Sequence, residues 1–96
     1  MVEPLFARDY GCSEAEWLRS LPRAVGAHAL SLRDGAATVA IGAGQLRLQW
    51  RPLPPRRIAL LNLPRLWVEF TFDGVAAEER QVFLRHFDLC LQRGGG

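Results

Sequence analysis

From Gln45 to Arg51 the chain alternates without a break. Leu46, Leu48 and Trp50 fall on one side, and Gln45, Arg47, Gln49 and Arg51 on the other. A period of two is that of a pleated strand, and one dry face opposite one wet face is the habit of an antiparallel sheet. This segment constrains the fold more than any other, because a strand of this kind needs neighbours. They are found on both sides of it. Ala27 to Arg33 sets His28, Leu30 and Leu32 against Ala29, Ser31 and Arg33, and Asp34-Gly35 then gives a two-residue hairpin signal. Ala37 to Ile41 is small and β-branched, and Gly42-Ala43-Gly44 turns the chain again. Leu66 to Phe72 alternates once more, with Leu66, Val68, Phe70 and Phe72 facing one way.

Between the last two alternating segments the pattern breaks. Pro52-Leu53-Pro54-Pro55 predicts a stiff extended loop. Ile58 to Leu63 is apolar on both faces, which predicts a strand covered on both sides. Helical spacing brackets the strands. Ser13-x-x-Glu16 has the form of a capping box at the start of a helix over Glu14 to Leu21, with Trp17, Leu18 and Leu21 inward. Pro22 ends that helix or kinks it into a short turn through Val25. Ala76 to Gln92 carries Phe83, Phe87, Cys90 and Leu91 on one stripe.

The fold class that follows is α+β. An antiparallel sheet of about five strands is expected in α-βββββ-α order, with the long C-terminal helix packed across one face. The 96 residues fit one domain, with residues 1–11 a flexible arm and 94–96 a flexible tail. The first helix either joins the second on that face or covers the other one.

Composition matters chiefly through charge. All 12 basic residues counted as Lys or Arg are Arg, and the net charge is +2. No acid stands between Gly35 and Val68, whereas five arginines do. Arg33, Arg47, Arg51, Arg56 and Arg57 form a candidate anion-binding array, since guanidinium forks match phosphates and carboxylates. The alternative is a solvated sheet face. Leu61, Leu63 and Trp67 form a candidate partner surface, open to a protein or a second copy if the first helix leaves it bare; otherwise they are a second core layer.

No residue is assigned a catalytic, cofactor-binding or metal-binding role. His28, His86, Cys12 and Cys90 would suffice in number for zinc, but are read as lacking ligand spacing. Ser13 is explained as a cap, and Gly42-Ala43-Gly44 leads into a strand, unlike a nucleotide loop. No signal peptide is visible and no stretch is long and apolar enough to span a membrane, so a cytoplasmic protein without a membrane partner is expected.

Three segments carry a resemblance: Phe6 to Trp17 (FARDYGCSEAEW), Arg51 to Leu66 (RPLPPRRIALLNLPRL) and Phe87 to Gly96 (FDLCLQRGGG). Over nearly its whole length the chain resembles a family of short betaproteobacterial proteins with no assigned activity, which implies a bacterial cytoplasmic protein and no particular chemistry. The helix-strands-helix order also resembles the double-stranded-RNA-binding domain. The sequence departs from it at Ala76-Ala77-Glu78-Glu79-Arg80, where acids replace the lysines that would meet phosphate. Three functions stay open at this point: an interaction or assembly domain that self-associates, an anion or nucleic-acid binder, and an enzyme without a recognisable motif.

Overall fold

The alternating segment at Gln45 to Arg51 is the middle of a much longer strand. In the computed structural model, which describes residues 2–94 and their side chains from Phe6 to Leu91, β4 (Gly44–Ile58) pairs antiparallel with β5 (Leu61–Asp73) from end to end. Around this pair stand β1 (Val2–Tyr10), β2 (Leu30–Arg33) and β3 (Ala36–Ile41), in the order β1-β5-β4-β3-β2, every neighbour antiparallel. Two helices complete the chain: α1 (Glu14–Val25) and α2 (Ala77–Gly94).

The five-stranded antiparallel sheet and the long C-terminal helix match the expected class, but two strands differ from those expected. The N-terminal arm is a strand, β1, laid along the outer edge of β5. The segment Ile58 to Leu63 is no covered central strand. It is split by a turn at Ala59-Leu60, with Ile58 opposite Leu61, so it belongs to the ends of β4 and β5. The Pro52–Pro55 stretch is likewise part of β4 and contains its irregularity, between Leu53 and Arg56; a bulge is where a strand tolerates proline. The expected tail falls on residues outside the described ones, except Gly94, which ends α2.

Both helices lie on the same side of the sheet. Trp17 of α1 meets Trp50 at 5.4 Å and Phe87 at 6.0 Å, and Phe87 meets Phe70 at 5.6 Å. From α2, Phe83 faces Phe72 at 6.4 Å. Leu46, Leu48, Leu66, Val68, Phe70 and Phe72 are all fully buried beneath them. At the sheet edge Phe6 stacks on Phe70, 4.7 Å between rings. Edge-to-face and offset pairs of this kind add about 0.5–1.5 kcal/mol each beyond the area they bury.

The helix ends follow local rules. Ser13 Oγ accepts from the Glu16 N–H at 3.2 Å, and the Ser13 N–H donates to Glu16 Oε1 at 2.8 Å. This is the capping box read from sequence. Pro22 sits within α1 rather than ending it; it removes one intrahelical donor while the buried row Leu21, Ala24 and Val25 carries the helix on. Ser13→Ala is expected to lower stability by about 1 kcal/mol, read as a reduced midpoint in chemical denaturation with an unchanged slope.

Candidate interaction surface

Because both helices share one face, the other is left to solvent. Register identifies its residues. Across the sheet run the rows Ser31–Thr38–Arg47–Thr71 and Arg33–Ala36–Gln49–Glu69–Ala7, then Arg51–Trp67–Asp9. The candidate residues Arg33, Arg47 and Arg51 thus share the open face with Trp67. Trp67 is half-buried among its own neighbours. The Arg51 guanidinium lies 6.0 Å from its ring centre, and its indole N–H donates to Glu69 at 3.2 Å.

This face is of mixed sign. Arg47 comes within 4.0 Å of Asp73. Arg65 donates to Asp9 from Nε and Nη2, at 3.2 and 2.5 Å to the same oxygen. The basic stretch of sequence therefore lies beside acids from β5 and β1 that arrive from elsewhere in the chain. Hydrogen bonding from Arg65 holds the Asp9 carboxyl below its usual pKa of 3.8, against a smaller opposing effect of desolvation and with help from the charges of Arg65 and Arg56. A depressed folded-state pKa gives stability that is present above the unfolded value and lost as pH falls through the folded one. Arg65→Gln is accordingly expected to move the Asp9 carboxyl midpoint upward in an NMR titration; an unmoved midpoint would refute the pairing.

Beyond Leu66 the sheet narrows to two strands, since β1 ends at Tyr10 opposite Leu66. What remains is a hairpin of β4 and β5 whose side chains are exposed or half-buried from Pro52 to Arg65. With β4 spanning fifteen residues, at roughly 3.3 Å each, it accounts for the 47 Å long axis of a molecule only 24 × 22 Å across. Its side chains are apolar and wet. Ile58 is 51% exposed, Leu61 61%, Leu63 40%, and Leu60 at the apex is fully exposed. The pairing Ile58↔Leu61 and Arg56↔Leu63 puts Ile58, Leu61, Leu63 and Arg56 on one side of the ribbon, on the register of Trp67. Arg57 and Asn62 oppose each other on the other side, joined by a 3.2 Å hydrogen bond. The five candidate arginines therefore do not form one array: Arg57 faces away from the rest.

The turn is unusual in its residues. Ala59 has φ 54°, a left-handed conformation that glycine adopts freely and a Cβ disfavours by about 1–2 kcal/mol. Ile58 and Leu60 are not recognisable as tip residues from sequence, because Ala-Leu is no turn signal. One sign was available: Pro55 and Pro64 stand equidistant from Ala59-Leu60, as prolines flanking a hairpin do.

At the opposite end of the molecule, where β3 turns into β4, a surface depression of about 340 Å³ lies against the start of α2. Ile41, Val82 and Phe83 line it, together with His28, Glu78 and Glu79. Val82 is 65% exposed. His28 rests edge-on against Phe83 at 5.4 Å and its Nδ1 lies 3.0 Å from the Ala40 carbonyl, which places it at the core edge.

His86 and Cys90 have structural partners. They stand one turn apart on α2, contrary to the expectation that no two such residues share spacing, with 3.5 Å between Nε2 and Sγ. Both approach the Arg23 carbonyl, at 3.2 and 3.6 Å, and so serve the end of α1. Cys12 is buried, and burial together with the charge of Glu16 pushes its thiol pKa up, the reverse of what a nucleophile needs. Both cysteines are free thiols. No helix among the described residues is long and apolar enough to cross a membrane. No family model, curated protein or solved structure matches this chain.

Proposed function

We propose that this chain is a small interaction domain whose working part is the projecting hairpin, continued onto the open sheet face as far as Trp67. One observation carries the reading: Ile58, Leu60, Leu61 and Leu63 are exposed together on a two-stranded ribbon that runs on past the end of β1. Two strands alone are marginal in water, and monomers seldom hold contiguous apolar side chains in solvent without use for them. The prolines at 52, 54, 55 and 64 stiffen the ribbon, so little chain entropy is lost when it docks.

A polyanion fits less well. The open-face arginines are interleaved with Asp9, Glu69 and Asp73, and Arg57 points away from them. A nucleic-acid surface needs a field of one sign. An enzyme has the least support: the Cys12 thiol is buried with its pKa pushed up, and His86 and Cys90 are both directed at the Arg23 carbonyl of α1.

A photo-reactive amino acid at position 60, activated in the cells that make the protein, tests the reading. Discrete protein adducts are expected, and they should disappear when Ile58 and Leu61 are both changed to Asp. Absence of any protein adduct would refute it.

A further inference from the structure

The occupant of this surface can be read from the molecule itself. The hairpin presents an apolar tip with two arginines, Arg56 and Arg57, just behind it, and no acid lies on it. Its complement in both respects is the depression at the start of α2, lined by the apolar Ile41, Val82 and Phe83 and by the exposed Glu78 and Glu79. The hairpin cannot reach that depression within one molecule. β4 begins at Gly44, beside the depression, and ends at Ile58, at the tip, so the two lie at opposite ends of the 47 Å axis.

Resting on the interaction-domain reading above, we infer that the hairpin tip of one molecule docks in the acid-bearing depression of a second copy. Leu60 and its neighbours leave water against Val82 and Phe83, while Arg56 and Arg57, one on each side of the ribbon, bring positive charge to a depression that carries Glu78 and Glu79. Burial of the aliphatic tip supplies attraction, and the opposite charges set the orientation. Each contact is small beside the 1,200–2,000 Å² or so of a standard interface. Association is therefore concentration-dependent and weakens with added salt, which screens exposed charge.

Charge reversal tests this. In sedimentation velocity over a wide concentration range, the wild-type chain should associate. Arg56→Glu with Arg57→Glu should weaken self-association by at least about tenfold, and so should Glu78→Arg with Glu79→Arg, because each variant then sets like charges together. Mixing the two variants should restore assembly, since each hairpin then meets a depression of opposite sign. All four residues are exposed, and unchanged circular dichroism confirms that each variant is folded. A strict monomer, or reversals that leave association intact, or a mixture that fails to recover, would overturn the inference.

A second measurement separates it from the broader reading. A cross-linker at position 60, used with isotope-mixed protein, should join Leu60 of one copy to the peptide holding Val82 and Phe83 of another. Exclusive cross-linking to a different protein would overturn self-docking and leave the interaction domain standing. Recruitment to anionic vesicles without any protein adduct would overturn both.

Discussion

Replacing Trp17 with alanine is expected to cost about 3–5 kcal/mol, much of the 5–15 kcal/mol or so that a whole domain typically has to lose. The reason is position as much as size. Trp17 is 1% exposed and touches an aromatic residue from each element around it: Tyr10 of β1 at 5.5 Å, Trp50 of β4 at 5.4 Å and Phe87 of α2 at 6.0 Å. It joins α1 to β1, β4 and α2 at once, so a cavity there loosens the contact between both helices and the strands. Trp17→Phe should cost distinctly less. The indole N–H makes no hydrogen bond among the described residues, so only ring volume is lost. Trp50 differs, since its N–H donates to Glu14 at 2.8 Å, and Trp50→Phe leaves that carboxylate without its donor. Urea unfolding of the three variants would rank them; Trp17→Ala within about 1 kcal/mol of wild type would disprove the account. Leu60→Asp, at the hairpin apex, should by contrast leave the unfolding midpoint where it is. The core around Trp17 and the proposed contact at the hairpin apex are separate parts of this molecule.

That division also explains what could be read from the sequence. Where a strand lies between the helices and water along its whole length, as β4 does from Gln45 to Arg51, burial enforces alternation and the pattern shows. The capping box and the Phe83–Phe87 stripe were legible for the same reason, being local. β1 was not. Its helix-facing row holds Phe6, Arg8 and Tyr10, and an arginine in a dry row disguises a strand. The structure accommodates it: the Arg8 guanidinium bonds to Asp88 of α2 and lies 5.3 Å from the ring centres of both Phe6 and Phe70, partners 80 and 62 positions away in sequence. The hairpin was illegible for the opposite reason. Apolar on both faces usually means buried on both faces, and that rule assumes a lone chain. Ile58, Leu60, Leu61 and Leu63 violate it together. Departures from local consistency concentrate at working surfaces, and the prediction that failed most completely here falls on the surface proposed to bind.

Gly44→Ala is the substitution expected to affect fold stability and docking together. A methyl group built on Gly44 would overlap the Asp73 carbonyl oxygen and the backbone of Gly74. These are main-chain atoms at the junction of β5 and α2, not the yielding end of a side chain. Gly44 has no positive φ to preserve, so the penalty is one of space alone. Relief requires the β3–β4 turn to move away from that junction, and overpacking of this kind costs about 1–3 kcal/mol. The displacement has a second consequence. Ile41 pairs with Gly44 across the turn, whereas Val82, Phe83, Glu78 and Glu79 follow from Gly74 on the other side, so the gap forced open runs beneath the depression proposed to receive the hairpin. Gly44→Ala should therefore lower stability and self-association together. Gly11→Ala, where an added Cβ meets nothing within 4 Å, should change neither, staying within about 0.5 kcal/mol of wild type. Urea unfolding and sedimentation on this pair of variants would decide the matter. Normal association by a destabilised Gly44→Ala protein would show that the depression is not the receiving site.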